Sequence, residues 1–222
     1  SWDDAIVPKA SFALGYRRST ENVTVTNCVL TTACNAFKLG TESSGDFKNL
    51  SVSNCTIFGR PDLWKRNPTS GVSIEMVDGA SLDRVVVSNI AMVDIRAPIF
   101  IRQGSRGRAQ KVPKPEVLQN VSISDIVATG AQLTSSISGI PGYPVRNITL
   151  KNIRIAARGG AAADLANRAV PEMEDGYPDA GRFGELPAHG LYCRHVETLM
   201  LDNVSFHQEK PDGRPALIAD DV

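Results

Sequence analysis

The chain has 222 residues, of which 42% are hydrophobic and 22% are charged, proportions typical of a folded protein with one sizeable core. Its 24 lysines and arginines are matched by 24 aspartates and glutamates, so the chain has no net positive charge to attract phosphates. Nucleic acid is therefore not expected as a partner. No run approaches the roughly 20 apolar residues that a membrane helix needs, which excludes a membrane-spanning helix.

A short alternating strand that ends in asparagine or aspartate recurs six times along the chain. Within each copy, apolar residues alternate with polar ones, mostly serine or threonine, which is the period of a β-strand with one buried face. The polar ends of successive copies are 27, 35, 36, 27 and 51 residues apart. This spacing indicates a solenoid with a coil of about 25 to 30 residues and variable insertions. The copies are Asn22–Cys28, Asn49–Cys55, Arg84–Ile90, Asn120–Ile126, Asn147–Ile153 and Thr198–Val204.

A second class of short strands lies between these copies. Two or three short strands in each coil, with almost no amphipathic helix between them, exclude a doubly wound sheet. They predict an all-β fold, a parallel β-helix of stacked coils that forms a single domain over residues 1–222. The second-class strands are Ala36–Gly40, Gly71–Glu75, Ala97–Arg102, Ser135–Gly139 and His189–Arg194.

The polar residue that ends each copy is expected to be buried at a corner and to be structural, because an amide can hydrogen bond to the coils above and below it. Cys28 and Cys55 occupy matching places in two copies, so we expect them to stack inside as free thiols. The four cysteines form no CxxC pair and the three histidines are scattered. No metal site is expected.

Three insertions interrupt the repeat, near residues 60–70, 106–115 and 156–187, and they are rich in glycine, alanine, proline and charge. Long loops on one face of a solenoid commonly wall a binding groove. We therefore expect them to rise beside the coils and to contact a substrate. The alternative for the alanine-rich part is a disordered insertion.

One adjacent acidic pair, Asp3 and Asp4, stands at the head of a strand-like segment. Neighbouring residues of a strand point to opposite faces, so both carboxylates can face one groove only at a bend. Taken alone, the pair favours surface exposure or turn capping over a catalytic role.

Four segments together resemble glycoside hydrolase family 28, the polygalacturonase and rhamnogalacturonase family. They are residues 2–9, 35–45, 71–75 and 97–102, and the resemblance covers essentially the whole chain. Members are right-handed single-stranded parallel β-helices of the pectin lyase-like class that hydrolyse pectic backbones with inversion. The resemblance implies that Asp3 is the general acid and Asp4 one of two carboxylates that activate water. It implies no cofactor.

The chain departs from the family pattern in three places. The family's upstream Asn-Thr-Asp motif is absent. Its Gly-His-Gly falls on residues 34–36, so that Asn35 replaces histidine, and its Arg-Ile-Lys falls on residues 73–75, so that Glu75 replaces lysine. Glu75 would repel a uronate unless a nearby arginine neutralises it. These departures favour a related subgroup that acts on rhamnogalacturonan or on a neutral or decorated sugar.

Seven residues are the expected substrate-binding positions. The two arginines are candidates to bind a uronate carboxylate, and the tyrosine could stack on a sugar ring. The alternatives are solvated loop cations for the arginines, a solubilising strand-edge lysine and turn closure by Glu42. The seven are Asn35, Lys38, Glu42, Glu75, Arg102, Arg106 and Tyr192.

The expected function is hydrolysis of pectic polysaccharide, with a polysaccharide or oligosaccharide as partner and a monomeric state. The first alternative is a non-catalytic carbohydrate-binding or structural β-helix, and the second is a polysaccharide lyase. The chain starts without Met on a strand-like segment and shows no signal peptide. We expect it to be the C-terminal part of a longer β-helix that is secreted or periplasmic, lacking the N-terminal coils.

Overall fold

The computed structural model describes residues Ser1 to Val222, and β-strands dominate it. Helical structure is limited to one short α-helix, α1 (Pro61–Trp64), and two 3₁₀ turns, Phe12–Leu14 and Ala163–Asn167. None of these helical segments has the length and apolar composition of a membrane-spanning helix. The strands are β1 (Thr20–Thr26), β2 (Val29–Leu30), β3 (Asn35–Leu39), β4 (Phe47–Phe58), β5 (Ser70–Met76), β6 (Leu82–Val93), β7 (Ala97–Gln103), β8 (Leu118–Ala131), β9 (Ser135–Ser138), β10 (Val145–Gly159), β11 (Leu191–Arg194), β12 (Val196–Lys210) and β13 (Leu217–Asp220).

The strands form two parallel sheets between which the chain alternates. The long-strand sheet has the order β1-β4-β6-β8-β10-β12, with β2 also paired to β4, and it contains all six sequence copies. The short-strand sheet has the order β13-β11-β9-β7-β5-β3 and contains the second strand class. Each strand pairs with the equivalent strand of the next coil, so the predicted all-β, parallel, β-helix-like stacking is confirmed.

The core lies between the two sheets and is filled by the inward residues of both. A single cluster of 37 buried apolar residues runs through the coils, with Phe37, Phe47 and Ile99 among the largest fully buried side chains. Cys55 belongs to this cluster and Cys28 packs against it, and all four cysteines are free. The prediction of stacked free thiols is confirmed.

Each sequence copy contains two residues with a left-handed backbone, always five positions apart. Their φ values lie between 52° and 67°. Asparagine and aspartate adopt this conformation more easily than other residues with a Cβ atom, which explains their recurrence. From β4 onward, the strand bends at these residues but continues beyond them. The pairs are Asn22 and Asn27, Asn49 and Asn54, Arg84 and Asn89, Asn120 and Asp125, Asn147 and Asn152, and Thr198 and Asn203.

The expectation that these corner residues are buried was wrong. Asn54, Asn89 and Asn203 are exposed, because the chain bends around the core and the side chains at the bends point to solvent. The amide ladder itself is present on the surface. Nδ2 of Asn89 donates to Oδ1 of Asn54 at 2.8 Å, and Asn203 makes the same contact with Asn152 at 2.8 Å.

The last insertion also differs from expectation. Its first residues, as far as Gly159, extend β10. Residues 170–188, here called the covering loop, lie across the outward face of the short-strand sheet instead of rising beside the coils. The carbonyl of Val170 accepts from Arg194, that of Met173 from Arg102, and Tyr177 reaches β3.

Apolar packing also holds the covering loop in place. Phe183 packs on Phe100 of β7 with ring centroids 6.5 Å apart, in a second buried cluster that includes Leu186 and Tyr192. The loop therefore screens the part of the sheet where an open groove was expected.

Candidate active site

Asp4 is held by the first residue of β3. The segment that carries it pairs with β3, because the N–H of Ala5 donates to the carbonyl of Asn35 at 2.9 Å. Asn35 then donates twice to Oδ1 of Asp4, from its backbone N–H at 3.0 Å and from Nδ2 at 2.8 Å. The Asp4 side chain is only 9% exposed, so these contacts fix its orientation. Oδ1 of Asn35 is buried and has no hydrogen-bond partner.

The second oxygen of Asp4 faces Lys38. Nζ of Lys38 lies 3.2 Å from Oδ2 of Asp4 and 3.3 Å from Oε2 of Glu75. Lys38 on β3 and Glu75 on β5 both point outward from the short-strand sheet, yet their side chains are only 4% and 1% exposed. These three residues form a buried carboxylate–ammonium–carboxylate group, called here the Lys38 cluster.

The Lys38 cluster shifts the pKa of two of its members. Burial alone would lower the pKa of Lys38, but Glu75 and Asp4 outweigh it and raise this pKa above the ordinary lysine value. Burial raises the pKa of Glu75 to about 7, although Lys38 and the hydroxyl of Ser73, which donates to Oε1 at 2.6 Å, oppose the shift. The cluster thus combines a strongly protonated amine with a carboxyl group that titrates near neutral pH.

Asp3 is exposed and lies at a bend, which brings its carboxylate beside that of Asp4. Its Oδ1 accepts from the N–H of Asp4 at 2.8 Å. One oxygen of Asp3, one of Asp4 and Sγ of Cys34 lie within 4.8 Å of one another. This approach is closer than the roughly 6.5 to 9.5 Å between the carboxyl groups of most inverting pairs, so a water has little room between them.

The same three atoms have the spacing of cation ligands, but the surroundings of Cys34 disfavour a cation. Nη2 of Arg66 lies 3.2 Å from Sγ, where a guanidinium competes with a metal ion. Burial raises the pKa of Cys34, which favours the thiol over the metal-binding thiolate.

Two tryptophans that were not predicted as site residues lie next to Asp3. Trp2 and Trp64 of α1 make an edge-to-face contact with ring centroids 5.2 Å apart. Trp2 is 67% exposed, so an aromatic surface is open to a ligand here. Their signal was present in the sequence, since Trp2 precedes the acidic pair and Trp64 lies in the first insertion.

Tyr177 of the covering loop is a second residue that was missed. Its hydroxyl lies 3.4 Å from Nζ of Lys38 and 3.5 Å from Oγ1 of Thr41. Its ring lies 5.7 Å from the charged group of Lys38 and 5.8 Å from that of Arg106, distances at which cations are attracted to aromatic faces. Nothing in the local sequence distinguishes this tyrosine.

The other predicted binding residues lie away from Asp3, and several are already engaged. Glu42 pairs with Lys9 at 2.8 Å and, more loosely, with Arg108 at 3.5 Å. The guanidinium of Arg106 is bound by both carboxylate oxygens of Asp78, which is itself buried.

Arg102 and Tyr192 are buried under the covering loop. Arg102 donates to main-chain carbonyls of Gly139, Glu172 and Met173, and burial lowers its pKa to about 10. Tyr192 is 4% exposed, so its ring face is not available to a sugar. The expected uronate contact of Arg102 and the expected stacking of Tyr192 do not fit this structure.

Comparison with known proteins gave no family model, no curated protein and no solved structure that matches this chain.

Proposed function

We propose that this chain carries the active site of a β-helical glycoside hydrolase of the family 28 type, which cleaves pectic polysaccharide by general acid/base catalysis with inversion. The observation that carries the proposal is the acidic pair. Asp3 is open to solvent, whereas the neighbouring Asp4 is held in one orientation by Asn35 and Lys38.

In this proposal Asp3 is the general acid, because it is the carboxyl group that a polymer can reach. It gives its proton to the glycosidic oxygen as the bond to the anomeric carbon breaks. Asp4 is one of two carboxylates that activate the attacking water, and the second corresponds to the aspartate of the family's Asn-Thr-Asp motif, which this chain lacks, so the water does not have to lie between Asp3 and Asp4. The water attacks the anomeric carbon and gives its proton to this pair of carboxylates.

The charges around the pair are compatible with an acidic polysaccharide. Lys38 offsets Glu75, so the glutamate does not repel a uronate as the sequence alone suggested. Arg66 is exposed beside Cys34 and supplies a cation near Asp3 that can bind a uronate carboxylate. The exposed face of Trp2 provides an apolar surface for a sugar ring.

We further propose that the coils wind right-handed, since about 98% of crossovers between parallel strands of one sheet do so. The natural location of such an enzyme is outside the cytoplasm, secreted or periplasmic, because pectic polysaccharide is found outside the cell. It would act as a monomer.

The leading alternative is a non-catalytic carbohydrate-binding or structural protein. The mutual neutralisation of the Lys38 cluster and the position of Tyr177 above it favour this alternative, because both are what a purely structural network would show. A lyase is supported less well. Its amine base must lose a proton, and the raised pKa of Lys38 opposes this.

The test is incubation of the protein with homogalacturonan, rhamnogalacturonan and short oligomers of each, with reducing ends and product anomers followed by NMR. We expect release of an inverted sugar and a loss of at least about 100-fold in Asp3→Asn, as removal of a general acid predicts. Asp202→Asn, an exposed carboxylate on β12, is the matched control and should leave the rate unchanged.

Three outcomes would count against the proposal. Equal activity of Asp3→Asn and the parent would remove Asp3 from the mechanism. An unsaturated product would indicate a lyase. Binding without product release by the folded protein would favour the non-catalytic alternative.

A further inference from the structure

A cavity of about 130 Å³ lies at the far end of the short-strand sheet from Asp4. It is enclosed by the ends of β8 and β10, by the end of the covering loop and by the segment before β13. Its polar lining residues include Thr134, His189 and Arg214. His189 precedes β11 and Asn35 begins β3, and these strands are four sheet positions apart, or about 19 Å at the usual spacing. The cavity is therefore separate from the candidate active site.

His189 is the residue of this cavity whose hydrogen bonding is incomplete. It is 6% exposed, and its Nδ1 is buried without a hydrogen-bond partner. Its backbone N–H is held by the carbonyl of Pro215 at 2.9 Å, so the residue is fixed in place. Burial lowers the pKa of His189, which favours the neutral ring with one donor and one acceptor. Because buried polar groups are normally paired, this ring indicates a missing partner.

Arg214 contributes donors to the cavity without a net charge. Its Nε and Nη2 bind the two oxygens of Asp212 at 2.9 and 2.8 Å, and Nη1 donates to the carbonyl of Leu186 at 2.9 Å. The Asp212 side chain is fully buried against Arg214, so the two opposite charges compensate each other within the cavity wall. Glu185 is exposed among the lining residues and adds a negative charge that disfavours anions.

We propose that this cavity binds one uncharged sugar residue, with His189 as its central hydrogen-bonding group. A neutral imidazole, a compensated guanidinium and a threonine hydroxyl match the alternating donors and acceptors of a polyhydroxylated molecule. The volume of about 130 Å³ is close to the roughly 150 Å³ of a cavity known to bind one six-membered ring, so a single ring can enter but not an oligosaccharide. The ligand is either a free monosaccharide or a neutral residue at the end or branch of a polysaccharide. This inference does not depend on hydrolysis at Asp3.

The experiment is an NMR titration of the ¹⁵N-labelled chain with galactose, rhamnose and arabinose, with galacturonate as the charged comparator. We expect saturable shifts of the His189 ring and of the amides of Gly159 and Gly160 with at least one neutral sugar, and at least tenfold weaker binding of galacturonate. A parallel titration with a branched pectic oligosaccharide distinguishes a terminal residue, which should bind equally well, from a free sugar.

Variants make the test specific. His189→Leu should abolish the shifts and His189→Gln should retain part of them, whereas Asp3→Asn should bind as the parent does. Ala161→Leu adds bulk to the cavity lining and leaves His189 in the sequence, and it should also abolish binding if His189→Leu fails to fold. Absence of saturable shifts with every neutral sugar, or shifts that persist in both Ala161→Leu and a folded His189→Leu, would overturn the proposal.

Discussion

Lys38 lies between two buried carboxylates, with its Nζ 3.2 Å from Asp4 and 3.3 Å from Glu75. The contact joins three successive layers of the solenoid, because Asp4 precedes β1, Lys38 is on β3 and Glu75 is on β5. The lysine therefore compensates charge and fixes the carboxylate assigned to catalysis.

Replacement of this lysine should be strongly destabilising. Lys38→Met leaves two buried carboxylates without a counter-charge, and such losses cost about 3–5 kcal/mol of unfolding free energy. Urea unfolding followed by circular dichroism measures the change. Lys48→Met is the matched control, because Lys48 pairs with Asp46 at 2.9 Å near the surface and should contribute about 1 kcal/mol or less. Equal losses of unfolding free energy in both variants would show that the Lys38 cluster stabilises the protein no more than a surface ion pair does.

Glu75 should make the stability of the protein depend on pH between its unfolded and folded pKa values. The unfolded glutamate has a pKa of 4.5, and burial raises the folded pKa to about 7. In this window the folded state binds a proton that the unfolded state does not, so stability falls as pH rises, by at most about 1.4 kcal/mol per pH unit. The dependence should level off above about pH 7.

Glu75→Gln tests this dependence, because glutamine cannot titrate. The difference in unfolding free energy between parent and variant, measured by urea unfolding from pH 4.5 to 8, should shrink or reverse in favour of the variant as pH rises. A difference that is constant over this range would contradict the pKa of about 7.

Arg102 should act as an anchor of the covering loop and not as a uronate ligand. Because it donates to the carbonyls of Glu172 and Met173, Arg102→Met should speed amide hydrogen exchange in residues 170–177 by at least about tenfold. Arg108→Met, whose side chain is 63% exposed, is the control and should leave exchange there unchanged. Unchanged exchange in Arg102→Met would show that the loop is held by its apolar contacts alone.

The left-handed corner residues should be sensitive to the presence of a Cβ atom. Asn54 has φ of 56°, so Asn54→Ala should lose about 1–2 kcal/mol of stability. Asn54→Gly removes the same ladder contact with Asn89 but relieves the backbone, and it should lose less. Urea midpoints compare the two. Equal losses in the two variants would assign the effect to the amide ladder, and a larger loss in the glycine variant would contradict the predicted backbone strain.

Much of the fold was predictable because its strands repeat a period-two pattern. Adjacent residues such as Phe37 and Lys38 differ in polarity, and adjacent residues of a strand point to opposite faces. The sequence therefore indicates which residues of a strand face the core and which face outward. The corner residues were predicted at the right places but with the wrong burial. Alternation along a strand does not reveal that the backbone turns left-handed at Asn54 and directs its side chain to solvent.

The covering loop was not predictable for a different reason. Arg102 contacts main-chain carbonyls about seventy positions away. Every residue has a carbonyl group, so the sequence does not indicate which of them accept these hydrogen bonds. Tyr177 is likewise a single aromatic residue in an irregular segment. The Lys38 cluster depends on which residues of β3 and β5 lie side by side. The alternation of polar and apolar residues along a strand does not reveal this register.

The constant interval of five between left-handed residues has a consequence for how this fold can change. The shape of each corner is set within that interval, whereas the spacing between copies varies from 27 to 51 residues. Removal of one residue inside the interval would shift the following strand by one position, so that its apolar residues would face solvent and its polar residues the core. Removal of many residues between copies would shorten a loop and leave the stack in register. The loops between copies can therefore diverge freely while the cross-section of the solenoid stays constant.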